Sequence, residues 1–111
     1  MVEYSTKLDV VFRSLSDPTR RDILRRISRK ELSINEVAQS YAQQMSLAAV
    51  SKHLQVLERA HLIKKCRVGK QQFVSLSPPT LKEASRYLEQ YKKLWEGRLD
   101  RLKDYLAKNK S

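Results

Sequence analysis

The sequence predicts a mainly α-helical chain with one β-hairpin, in the order α-α-α-α-β-β-α. Three observations predict it. Apolar residues recur at helical spacing through most of the chain, and the spacing turns strand-like only between Leu62 and Ser77. Asp17, Ser33 and Ser46 each stand just ahead of an apolar run, where a helix needs a side-chain acceptor for its unpaired amides.

The first helix is predicted by Leu8, Val11, Phe12 and Leu15. Asp17 caps the second, and Pro18 starts it at the position where a missing N–H costs nothing; Ile23, Leu24 and Ile27 form its apolar face. Ser33 with Glu36 three residues later is a capping box, followed by Ile34, Val37, Ala38 and Tyr41 on one face of a short third helix. The fourth begins at Ser46 and buries Val50, Leu54, Leu57 and Ala60, leaving Ala48, Ser51, Lys52, Gln55 and Arg59 outward. Two short helices in series, joined by "QSYAQQM", have the form of a helix-turn-helix.

"LIKKCRV" and "QQFVSLS" read as strands, with Gly69 supplying the turn. Pro78 and Pro79 end the second strand and open a last helix expected over about Thr80 to Ala107. Its stripe of Leu81, Ala84, Leu88, Tyr91, Trp95, Leu102 and Tyr105 is widened by Leu94, Leu99 and Leu106. A helix of that length is roughly 40 Å long, more than a small domain covers from one side, so part of the stripe is expected to face another chain. Gly97 inside it marks either a close backbone approach or a bend.

With 23 Lys+Arg against 12 Asp+Glu, the chain carries a net charge of +11, which favours nucleic acid, an anionic membrane or an acidic protein as partner. The 111 residues suit a single domain, and a chain this small gains from self-association. The lone Cys66 makes no internal disulfide, the N-terminal segment lacks a secretory apolar core, and Leu47–Val50 is the longest aliphatic run. The expectation is a cytoplasmic protein with no membrane span. A phosphate-cradling glycine loop, a metal-ligand cluster and a nucleophile with its base are all missing from the sequence, so neither an enzyme nor a cofactor is expected.

"SDPTRRDILRRI", "ELSINEVAQ", "VSKHLQVLERAHLI" and "VGKQQFVSLS", in that order, resemble the ArsR-type (arsenic-repressor-like) winged helix-turn-helix transcriptional regulators over about residues 8–100. The resemblance implies a homodimer held by the first and last helices, with residues 80–107 as the dimerisation helix. Leu8, Val11, Phe12, Leu88, Tyr91, Trp95 and Leu102 are the expected interface residues. It also implies a recognition helix in the major groove of double-stranded DNA at a palindromic operator, with the hairpin as a wing along the backbone. The DNA-facing residues are then Ser46, Ala48, Ala49, Ser51, Lys52, His53 and Gln55 on the helix, and Arg67, Lys70 and Gln71 on the wing. The chemistry agrees. Small side chains let a helix enter a groove closely, Ser51, Lys52 and Gln55 can bond phosphates or base edges, and the wing cations suit phosphate.

Repression is the expected mode, with an effector left unidentified. The alternatives are a nonspecific architectural DNA-binding protein, which would show little preference among sequences, and a winged-helix protein-interaction module, which would not bind duplex DNA. Metal-responsive members of the family carry an "ELCVC"-like segment; here "ELSINEV" places Ser33 and Asn35 there, and the last helix has no histidine, so no metal site is expected. His53 is expected to orient its helix or touch phosphate, and His61 to end that helix. Cys66 reads as a small strand residue packed on the core, or alternatively as a redox-responsive thiol beside cations.

Overall fold

Short-range hydrogen bonding sets the helix boundaries in the computed structural model of the chain, which describes residues 6–109. α1 spans Thr6–Leu15 and α2 spans Pro18–Arg29. Asp17 caps α2 by accepting from the Arg20 amide at 3.0 Å, and Pro18 takes the first helical position. α3 (Ile34–Ser40) opens with a complete capping box. Ser33 Oγ accepts from the Glu36 amide at 3.1 Å, and the Ser33 amide donates to Glu36 Oε1 at 2.9 Å. α4 (Leu47–Arg59) begins at Ser46, whose hydroxyl accepts from the Ala49 amide at 3.2 Å.

The sheet has one strand more than the hairpin expected from sequence. β1 (Leu32–Ser33) precedes α3, while β2 (Ile63–Val68) and β3 (Gln71–Leu76) form the hairpin. β3 is central, pairing antiparallel with β2 through Ile63↔Leu76 to Val68↔Gln71, and with β1 through Leu32↔Val74 and Ser33↔Phe73. Two residues are too few to show an alternating pattern, so β1 is hidden inside what reads as the lead-in to α3. Gly69 has φ +64 at the first central position of the two-residue hairpin turn, the II′ pattern, and a Cβ there would meet nothing within 4 Å. Backbone conformation, rather than space, is what calls for glycine.

Ile23, Val37, Val50, Leu54, Leu57, Leu62 and Val74 are fully buried together, joining α2, α3, α4 and the sheet in one core. α1 packs against α2 and α4, and Val11 is only 4% exposed. Val11, expected between subunits, therefore lies in the core of its own chain; Leu8 and Phe12 are half-buried. The chain resolves into two compact units, one ending at Thr80 and the other beginning at Leu81. The second unit continues α5 (Pro78–Lys108), which is longer at both ends than the Thr80–Ala107 expected. Within it Tyr87 and Tyr91 meet edge to face, centroids 5.1 Å apart, with their hydroxyls 3.1 Å apart.

One partly buried tie joins α2 to the end of α3. The Tyr41 hydroxyl donates to Asp22 Oδ2, Arg26 Nε donates to the same oxygen at 2.9 Å, and Arg25 binds the other oxygen. The Tyr41 hydroxyl, then Arg26 and Arg25, outweigh burial and hold the Asp22 carboxyl down at about 2, from an ordinary 3.8. Burial first, and then Asp22, push the Tyr41 phenol up to about 12, so it remains a donor across neutral pH. A carboxyl depressed on folding stabilises the fold fully above its unfolded value, and that contribution is lost as pH falls toward the folded value. Stability measured by urea unfolding should therefore drop between about pH 4 and pH 2. Asp22→Asn should be less stable at pH 7 and lose most of that slope; an unchanged slope would show that Asp22 does not carry it.

Candidate nucleic-acid interface

α4 is amphipathic in the sense its sequence requires. Val50, Leu54 and Leu57 turn into the core, while Ala48, Ser51, Lys52, Gln55 and Arg59 are exposed. Ser46 at its start is exposed and Ala49 is half-buried. Ser51 and Gln55 lie one turn apart on the outward face, and Lys52 beside them supplies a cation. Leu47 joins this surface and is 57% exposed. In the sequence an aliphatic residue opening a helix reads as core, and only its position before the first buried residue, Val50, signals otherwise.

The end of α4 hands the chain directly to the wing. The His61 amide donates to the Glu58 carbonyl at 2.9 Å and the Leu62 amide to the Leu57 carbonyl at 3.0 Å, with His61 at φ 59. This is the Schellman arrangement, normally served by glycine, and here a histidine adopts the left-handed conformation. Two residues later β2 is under way. Lys65 Nζ reaches back to Glu58 Oε1 at 3.3 Å, so this wing cation is tied to the recognition helix. Arg67 Nε donates to the Gly69 carbonyl at 3.3 Å across the turn. Lys64, Lys70 and Gln71 are exposed. Cys66, expected to pack on the core, is exposed instead: Ile63 starts β2 facing inward, and three residues further along an alternating strand Cys66 points to the opposite face.

His53 faces α2 across a guanidinium. Arg20 Nε donates to the Ser14 carbonyl at 2.6 Å, Nη2 to the Arg13 carbonyl at 3.3 Å, and Nη1 lies 3.3 Å from His53 Nδ1. Asp17 Oδ2 stands 3.9 Å from the same nitrogen. Burial alone would raise the Asp17 carboxyl, but the Arg20 amide and the nearby charges of His53 and Arg20 prevail, and it is held below 3.8. Of the two roles expected for His53, this geometry accounts for the orienting one.

The profile of a helix-turn-helix domain matches residues 15–66. The transcriptional repressor SdpR of Bacillus subtilis (strain 168) is 30% identical over 78 residues, covering 70% of this chain and 84% of that protein. An ArsR-like transcriptional regulator from Rhodococcus sp. RHA1 has a similar structure, with a TM-score of 0.70 and 31% identity over 94% of this chain and 96% of that one. The chain belongs to the ArsR-type winged helix-turn-helix regulators. The homodimeric winged helix-turn-helix DNA-binding domain of a possible ArsR-family regulator from Mycobacterium bovis shares the fold, with a TM-score of 0.61 and 20% identity over 81% of this chain and 79% of that one.

The ArsR-type chain is thus a DNA-binding transcriptional regulator and not an enzyme. α3 and α4 form its helix-turn-helix, and β2 and β3 its wing. Among the described residues no helix is long and apolar enough to cross a membrane, and no three His, Cys, Asp or Glu side chains group as metal ligands would. Ser33, standing in the metal-binding segment of other ArsR-type proteins, is occupied as the α3 cap.

Arg20 is the residue that this interface most depends on without being on its surface. Arg20→Ala should lower stability by about 1–3 kcal/mol, since it strips charged hydrogen bonds from the carbonyls ending α1. It should also weaken DNA binding by loosening His53 on α4. Urea unfolding and DNA titration read the two effects, and a variant that loses neither would show the guanidinium to be incidental.

Proposed function

We propose that this chain is a homodimeric repressor that reads a palindromic operator with α4 and grips phosphate with its wing, acting in the cytoplasm on its DNA. The observation that carries this reading is the outward face of α4, where Ser51 and Gln55 stand among small side chains and beside Lys52, joined through three residues to a basic hairpin. Ser46, Ala48 and Ala49 allow close entry into the major groove, and glutamine suits adenine. Arg67, Lys70 and Gln71 border the turn that would run along the backbone. Repression is supported by the name of the Bacillus subtilis relative.

Self-association is supported by α5. Trp95 is 61% exposed, Leu102 53%, and Leu88, Tyr91, Leu94, Tyr105 and Leu106 are exposed with them. An apolar surface of this extent on a charged protein marks an interaction site. A two-fold protein matches a two-fold operator. Leu8 and Phe12 of α1, both half-buried, are the remaining candidates on the first helix. Gly97 fits the same reading, because a Cβ there would meet only Arg101 Nη1 at 3.7 Å within the chain and nothing local demands glycine.

The response is to something other than a bound metal. Ser33 and Asn35 offer no thiolate, and α5 contains no histidine.

Salt titration of single variants on operator and scrambled DNA tests the DNA surface. Lys70→Ala should weaken binding to all sequences alike and reduce the salt slope by about one unit. Gln55→Ala should change base preference by about 1–3 kcal/mol while leaving the slope nearly constant. Equal affinity of the parent protein for both DNAs would favour an architectural role, and no binding to either a protein-interaction module. Repeating the titration on chelator-washed protein with added zinc tests metal independence, with unchanged affinity expected.

Trp95→Asp combined with Leu102→Asp should convert the dimer to monomer and weaken operator binding together. Sedimentation velocity reads this; a parent protein that sediments as a monomer at micromolar concentration while binding the operator tightly would rule the dimer out.

A further inference from the structure

The last two turns of α2 carry Arg25, Arg26 and Arg29, which line a cavity of about 590 Å³ between α2 and α3 together with Leu32, Gln39 and Ser40. That volume lies within the roughly 300–1,000 Å³ of small-molecule sites. A helix dipole favours cations in its last turn, but it does not require them to share one concavity with the polar face of a neighbouring helix. Arg25 and Arg29 are four residues apart on α2, a like-charge spacing that is unfavourable unless an anion answers it.

Two of the guanidinium groups are already fixed. Arg26 is held by its Nε bond to Asp22 and by stacking 5.3 Å from the centroid of the Tyr41 ring. Arg25 is held by the other Asp22 oxygen. Arg29 and the Gln39 side-chain amide have no hydrogen-bond or ion-pair partner among the described residues. Glu36 is the one acidic side chain lining the cavity, and its carboxylate is engaged with the Ser33 amide in the capping box. The cavity therefore presents pre-positioned cationic donors, an unpartnered cation and a neutral amide around a small apolar patch.

We propose that this cavity binds a small phosphate-bearing anion, with Arg25 and Arg29 as its charge partners and Gln39 as a neutral donor. Planar guanidinium forks match phosphate oxygens in pairs, and donors fixed before binding lose little freedom on binding. Gln39 also lines a neighbouring cleft with Ser46 and Leu47, so an occupant would touch a residue adjoining the start of α4. Only that link to the recognition helix rests on the proposed DNA-reading role; the binding itself does not.

The phosphate could belong to a free metabolite or to a DNA backbone, and one experiment with two arms covers both. Inorganic pyrophosphate is titrated into the full-length protein at about 150 mM salt, without DNA, while amide chemical shifts are followed. Saturable shifts are expected at Gln39 and Ser40, with affinity falling about tenfold in Arg29→Gln, a substitution that breaks no hydrogen bond or ion pair among the described residues. Shifts confined to Gly69 and Lys70, no saturation up to about 10 mM, or equal affinity in Arg29→Gln would overturn the site. In the second arm a short duplex is added first. Pyrophosphate that still binds identifies a free anion as the ligand, whereas pyrophosphate that is displaced, with the Gln39 and Ser40 signals already moved by DNA, identifies a backbone phosphate; both outcomes support the phosphate chemistry. Because the first arm contains no DNA, its failure leaves the operator reading intact, and loss of operator binding leaves the first arm intact.

Discussion

The Arg20 guanidinium joins three helices at one point. Its Nε and Nη2 close the last carbonyls of α1, its own amide is capped by Asp17 at the start of α2, and its Nη1 meets His53 in the middle of α4. Helix ends leave carbonyls without partners, and a half-buried end with none would be costly. Meeting that need with a side chain from the next helix fixes the α1–α2 angle. Extending the same side chain to His53 then fixes how α4 is rotated about its axis. The rotation decides which residues face outward, so the exposure of Ser51, Lys52 and Gln55 depends on a cation that is not part of that face.

The wing depends on α4 in turn. A helix ending in an ordinary loop would leave the hairpin free to settle in several orientations. Here the left-handed His61 reverses the chain within one residue, Leu62 and Ile63 enter the core at once, and Lys65 is anchored to Glu58. β3 then pairs with β1 immediately ahead of α3, so both helices of the helix-turn-helix are tied to the sheet that carries the wing. Recognition helix and wing thereby form one rigid frame, which is what simultaneous contact with a groove and its bordering phosphates requires.

Much of this was legible in the sequence because it is governed by neighbours a few residues apart. Asp17, Ser33 and Ser46 act as caps wherever the chain is folded, and the burial of Val50, Leu54 and Leu57 follows from spacing alone. What escaped depends on distant partners or on local exceptions. β1 exists because β3 arrives beside it, and two residues carry no period. The left-handed turn at the end of α4 is taken by histidine where pattern reading looks for glycine. Val11 fits an apolar stripe equally well whether that stripe faces its own chain or another, and Cys66 has strand-like neighbours but lies on the face of β2 opposite the buried Ile63. The cavity beside Arg29 could not be read from sequence, since nothing in "RRISRK" says which way three arginines converge.

The positive field of the protein follows from where its acids are spent. In the unit ending at Thr80, Asp17 caps α2, Asp22 clamps Tyr41 and two arginines, Glu36 closes the α3 capping box and Glu58 holds Lys65. Each carboxylate contributes to folding through one fixed geometry, and the three capping or clamping ones are held below their ordinary values. Most of the acids of this unit are thereby consumed inside the frame. The outward cations Lys52, Lys64, Arg67 and Lys70 have no ion-pair partner among the described residues, and a net charge of +11 becomes a directed surface instead of an average. Adding acids to the outer face of α4 or the wing would leave the fold's own ion pairs untouched and still remove the attraction to phosphate. The same economy thus stabilises the domain and leaves the outer face of α4 and the hairpin basic.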